Sequence, residues 1–90
     1  MNKLKNLAYE LLTIEEYSDF ISNIDNKDWG LVYMTSYEAY DSAKKELLLL
    51  ASQDRCDKSI VKNFKSACDF KDKCIKLLES KGIMYRVGST

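Results

Sequence analysis

Histidine and proline are both absent from this 90-residue chain, and cysteine occurs only three times. Without histidine the chain lacks the commonest general acid/base, the usual neutral-pH switch and the commonest metal ligand. Without proline nothing removes a backbone donor from the interior of a long helix. The three cysteines, Cys56, Cys68 and Cys74, cannot all pair within one chain, and they form no CxxC pair. A zinc site needs four ligands, so they are expected to be reduced thiols that pack as small buried hydrophobes, with no metal and no cofactor. The longest purely apolar run is Leu47 to Ala51, far short of the roughly 20 residues a membrane span requires. The start MNKLKNLAYELL lacks the apolar core and cleavage site of a secretory signal, so a cytoplasmic location is expected. No nucleophile, base or acid stands in a constellation that would make the chain an enzyme.

What is present is the composition of a folded domain, 46% hydrophobic and 31% charged, with a formal net charge of zero. A chain of this length fits one domain and buries only roughly 60% of its unfolded surface, so stability must come from a well-filled core. Hydrophobic residues recur at helical spacing almost throughout. Leu4, Leu7, Ala8 and Leu11 predict a first helix from about Asn2 to Leu12. Thr13-Ile14-Glu15-Glu16 has the form of a capping box that opens a second helix, with Ile14, Tyr17, Phe20, Ile21 and Ile24 on one arc and Glu15, Glu16 and Asp19 opposite. A continuous helix through Thr13 is the alternative, because threonine costs only a few tenths of a kcal/mol in a helix interior.

The stretch from Asp25 to Gly30 is the clearest break. Leu31 to Met34 then reads as a short strand or as the approach to a third helix, for which Thr35-Ser36-Tyr37-Glu38 offers a second capping box. Tyr40, Ala43, Leu47 and Leu50 carry that helix to about Gln53. Asp57 is the expected N-cap of a fourth helix from about Lys58 to Lys81, with Ile60, Val61, Phe64, Ala67, Cys68, Cys74, Ile75 and Leu78 on its apolar face and Gly82 as its stop. Residues 83–87 alternate weakly and either pair with Leu31 to Met34 or cross the bundle. The fold class is therefore all-α, an antiparallel four-helix bundle with a short irregular or strand-like tail, in a single domain spanning 1–90.

Charge is distributed unevenly along this neutral chain. From Glu10 to Asp41 there are eight carboxylates (Glu10, Glu15, Glu16, Asp19, Asp25, Asp28, Glu38, Asp41) against Lys27 alone, a net of −7. From Asp54 to Lys81 eight basic residues face five acidic ones, a net of +3. Either the acidic segment steers a basic partner, or the two halves neutralise each other across the bundle. Direct nucleic-acid binding is not expected, because Lys65, Asp69, Lys73 and the pair Asp72 and Lys76 interleave as i,i+4 ion-pair ladders that leave no free basic face. Trp29 either plugs one end of the bundle or anchors a partner. Leu47 to Leu50 span a full turn, so either two neighbours flank that helix or one leucine projects into a partner or a homodimer contact. Lys71 falls in the middle of the fourth helix's apolar face, where it snorkels, meets a carboxylate or, as a remote option, does chemistry.

Leu11-Leu12-Thr13-Ile14-Glu15-Glu16-Tyr17-Ser18-Asp19-Phe20 resembles the opening of colicin D immunity proteins and their contact-dependent-inhibition relatives, in which a short helix leads to an acid-rich segment ending in phenylalanine. The resemblance covers about ten residues. It implies a helical bundle whose acids, here Glu15, Glu16 and Asp19, occupy the basic active site of a tRNA-cleaving toxin. The expected function is a protein that inhibits a basic enzyme through Glu15, Glu16, Asp19, Asp25, Asp28 and Trp29. A phage-encoded anti-defence inhibitor of a nucleic-acid-binding effector and a structural or oligomerising helical protein are the alternatives.

Overall fold

Four backbone stops divide the chain, and the computed structural model, which describes residues 2–83, shows how each is made. The helices are α1 (Asn2–Leu11), α2 (Ile14–Asp25), α3 (Trp29–Ser52) and α4 (Lys58–Ser80). Thr13 does break the chain between α1 and α2. Its Oγ1 accepts from the Glu16 amide at 3.2 Å while its own amide donates to Glu16 Oε1 at 2.9 Å, which completes the capping box. Asp57 caps α4 by accepting from the Ser59 amide at 2.9 Å and the Ser59 hydroxyl at 2.7 Å.

The second expected capping box does not exist. Residues 31–34 are helical rather than strand, because α3 has already begun at Trp29, with the Leu31 and Val32 amides donating to the Asp28 carbonyl at 3.1 Å. Thr35 therefore sits inside the helix, where its hydroxyl donates back to the Leu31 carbonyl at 3.0 Å. The break expected over six residues shrinks to 26–28 because backbone bonds close it tightly. The Lys27 amide donates to Ile24 and the Asp28 amide to Asn23, the paired bonds of a Schellman motif. Helices α3 and α4 end in the same way, with Asp54 and Gly82 in the position that Lys27 holds after α2.

That position needs a left-handed backbone, with φ of 59° at Lys27, 56° at Asp54 and 76° at Gly82. Only the third is a glycine. A side chain in this conformation costs about 1–2 kcal/mol, partly offset by the greater chain entropy that glycine loses on folding. Lys27→Gly and Asp54→Gly should each raise stability by about 0.5–1 kcal/mol, with the larger gain at Lys27 since aspartate tolerates the left-handed region better. Urea unfolding midpoints check this, and a lower midpoint for Lys27→Gly would contradict it.

The Ser59 hydroxyl and then its amide, both donating to Asp57, hold that carboxyl below its ordinary value of 3.8. A depressed folded-state pKa stabilises the fold above the unfolded value and loses that contribution as pH falls through the folded one. The advantage of the native chain over Asp57→Asn in thermal midpoint should therefore hold at neutral pH and shrink below about pH 3.8. An advantage independent of pH would show that the charge of Asp57 adds nothing.

Packing follows a ring in which α1 contacts α2, α2 contacts α3, α3 contacts α4, and α4 contacts α1. The short connections make successive helices antiparallel, giving the four-helix bundle. Its extents are 43 × 34 × 18 Å, the smallest being the depth of two helix layers. One layer is the long hairpin α3–α4, and α1 and α2 form the other. Helices of 24 and 23 residues extend about 35 Å, those of 10 and 12 residues only about 15–18 Å. The short layer thus covers one half of the hairpin. The core lies there: Leu4, Ala8, Phe20, Ile24, Val32, Tyr33, Phe70, Cys74 and Leu78 form one buried cluster.

Several side chains depart from the expected faces. Ile14 is 82% exposed, because the buried face of α2 centres on Phe20 and Ile24, and Ile14 lies about 100° round the helix from it. Phe70, absent from the expected face of α4, is fully buried against Phe20, with ring centroids 5.2 Å apart in edge contact. Lys71 is half-buried and pairs with no carboxylate among the described residues: its Nζ stands 3.8 Å over the Tyr40 ring, a cation–π contact that ties α4 to α3. Of the four leucines, Leu50 is buried and Leu47 half-buried, but Leu48 and Leu49 are exposed, since residues spanning a full helical turn cannot all face the bundle. Cys74 is buried as expected, whereas Cys56 lies exposed in the connection between α3 and α4, and Cys68 is half-buried. Ile83 packs against the core; the expected pairing of residues 84–87 lies outside the described residues.

Candidate protein-binding site

Burial of Phe20 and Ile24 turns the opposite side of α2 outward, and with it the acids of its sequence. Glu15, Glu16, Asp19 and Asp25 are all exposed, as is Asp28 in the turn that follows. Glu16 also has a structural task, since one of its oxygens is bound in the capping box. Trp29 differs from the five acids. It is half-buried and packs against the core at the start of α3, so it closes that end of the bundle.

The acidic segment forms no ion pair with the basic residues of α4. Among the described residues the ion pairs are Lys45 with Asp41 at 3.0 Å and Lys73 with Asp69 at 2.9 Å, each within a single helix. No ion pair joins one helix to another among those residues. The ladder expected along α4 closes at this one rung. Glu15, Asp19, Asp25, Asp28 and Glu38 face water, with no cationic partner within 4 Å among the described residues.

Two depressions run along the side of α3 that α2 leaves partly open. One, of about 390 Å³, lies between Asp19, Ser22 and Asn23 of α2 and Leu31, Met34, Thr35 and Glu38 of α3. The other, of about 310 Å³, lies under the α1–α2 turn and is lined by Leu11, Leu12 and Glu16, with Glu38, Ala39, Ser42, Ala43 and Glu46 from α3 and Asn63 from α4. Glu38 belongs to both. Leu31 and Met34 are 50% and 53% exposed, so the first depression presents apolar surface as well as charge.

Leu31, Met34, Glu38 and Glu46 were not among the expected site residues. Once α3 starts at Trp29, Leu31, Glu38 and Ser42 fall within about 20° of one line along the helix, with Met34 and Glu46 about 60° to either side. The signal was present but misplaced by the apparent cap at Thr35. Among the described residues no group of three or more cysteine, aspartate or glutamate side chains is placed to hold a metal ion, and no helix is long and apolar enough to cross a membrane. Compared with known proteins, the chain matches no family model, no curated protein and no solved structure.

Proposed function

We propose that this protein binds a basic protein partner through the acidic side of α2 and α3 and blocks it, in the manner of an immunity protein against a nuclease-type toxin. The observation that carries this reading is the set of exposed carboxylates from Glu15 to Glu38 that no lysine or arginine among the described residues approaches within 4 Å. Such a surface retains its field and accelerates encounter with a cationic cleft, because exposed charges act over about one Debye length, roughly 8–10 Å at physiological salt. A nuclease active site has that character, since it must attract phosphates. Trp29 contributes by holding the start of α3 in place under Asp28, and contact with the partner falls to the acids.

The test is association with the partner recovered from the native host. Glu15→Lys with Asp25→Lys should weaken binding by about tenfold or more and flatten the salt dependence of the on-rate. The fold should be retained, since exposed charge changes usually cost within about 0.5 kcal/mol. Lys62→Glu with Lys73→Glu should disturb the Asp69 pair yet leave association within about twofold. If the α4 reversal abolishes binding and the α2 reversal does nothing, the reading is wrong.

A further inference from the structure

The groove between α2 and α3 combines features that the acidic surface as a whole does not. Asp19 stands on its α2 wall and Glu38 on its α3 wall, while Leu31 and Met34 leave about half their surface open to water beside them. Its volume of about 390 Å³ lies within the roughly 300–1,000 Å³ of clefts that receive ligand groups. An apolar contact between two carboxylates that have no ion-pair partner among the described residues is poorly matched to a purely polar ligand, and it repels an acidic one. We propose that this groove receives a basic amphipathic segment of a protein partner, with an aliphatic side chain seated against Leu31 and Met34 and lysine or arginine heads meeting Asp19 and Glu38. This rests on the acidic-face reading and adds to it where on that face specificity resides.

The chemistry follows from charge and shape together. Burial of Leu31 and Met34 removes apolar area from water, which is favourable in proportion to that area. The carboxylates complement the cationic heads and penalise a partner that lacks them. Two antiparallel helices flank the groove, so an incoming helix would lie along it and present anchors at i and i+3 or i+4. Met34 suits such a contact, because its unbranched thioether adapts to the side chain it meets.

A synthetic peptide of about 14 residues, roughly four helical turns, with leucine on one face and lysine on the other, serves as the probe against the full chain. A control peptide keeps every lysine and replaces each leucine with serine. The expected result is that the leucine peptide binds about tenfold more tightly than the control, and that in methyl NMR spectra its shifts centre on Leu31 and Met34. Leu31→Ala with Met34→Ala should abolish the difference between the peptides while leaving the weaker binding of the control. Asp19→Asn with Glu38→Gln should weaken both and reduce their salt dependence. All four substituted positions lie on the surface, and unchanged melting of each variant confirms that the fold is intact. Equal binding of the two peptides, or shifts centred on Leu48 and Leu49, overturns the groove and leaves the acidic face standing. If neither peptide binds at any salt concentration, the groove and the acidic face fall together.

Discussion

Truncation of Phe70 to alanine should destabilise the protein by about 3–5 kcal/mol, the range for a fully buried aromatic ring. Phe70 has no exposed surface, and its ring meets Phe20 edge-on at 5.2 Å between centroids. It sits in the buried cluster to which all four helices contribute. Removing it therefore opens a cavity in that shared cluster, where rigid helices on several sides limit collapse. A domain of this size has roughly 5–13 kcal/mol of stability in all, so the variant should remain folded only marginally at 37 °C. Urea unfolding measures the loss directly. Leu49→Ala provides the contrast: an equally apolar residue, 60% exposed, whose removal should cost within about 0.5 kcal/mol. If Phe70→Ala costs no more than Leu49→Ala, the assigned core is misplaced.

Phe70 also shows why one helical wheel cannot recover a bundle. The apolar pattern of α4 selects the face that carries Ile60, Phe64, Ala67 and Leu78, on which Phe64 meets Tyr40 of α3 at 5.7 Å between ring centroids. Helix α4 has a second neighbour in α1, and contact with α1 and α2 buries Phe70 on another side. Local signals were legible wherever the backbone itself was the partner. Thr13 with Glu16, Asp57 with Ser59 and Gly82 each satisfy helix-end groups within a few residues, and each is where the sequence places it. Thr35 with Glu38 carries the same pattern and caps nothing. What decides between them is Asp28, whose carbonyl starts α3 earlier, together with a left-handed Lys27 that no residue preference announces.

The candidate site was legible as charge and illegible as shape. Carboxylates between Glu10 and Asp41 can be counted without a structure, and exposure of Glu15, Asp19 and Asp25 follows from burial of Phe20 and Ile24 on the other side of α2. Whether the basic half of the chain neutralises them depends on distances between helices, which composition does not contain. Among the described residues the structure places both ion pairs inside single helices. The groove depends on the unequal lengths of the two layers and on the start of α3, and both are properties of the assembled bundle. Leu48 and Leu49 are the exposed members of the leucine run, an exposure that four consecutive leucines suggested but could not assign.

Alkaline unfolding should be led by Cys74. Burial pushes its thiol from the ordinary value of 9.0 up to about 12, and the Ser36 hydroxyl facing it works in the opposite direction too weakly to offset burial. The folded state thus holds the proton after the unfolded state has lost it. A raised folded-state pKa means the stabilisation is complete below about pH 9 and is lost as pH rises towards about 12. A three-unit difference corresponds to about 4 kcal/mol at the upper end of that window, a large share of the stability of so small a domain. Chemical unfolding at intervals from pH 8 to 11 should show stability falling by up to about 1.4 kcal/mol per pH unit from this one group. Cys74→Val, similar in volume and without an ionisable atom, should remove that contribution to the slope. The same burial predicts thiol reactivity. In the native protein at pH 8, Cys56, exposed in the α3–α4 connection, should react first with a thiol reagent, and Cys74 only as fast as the bundle opens. Denaturant that lowers stability without unfolding the population should then accelerate the reaction of Cys74 and leave that of Cys56 nearly unchanged. A Cys74 that reacts as readily as Cys56 in the native state would mean that the core cluster of Phe20, Phe70 and Leu78 is open to solvent, and the packing that positions α2 and its acids would have to be redrawn.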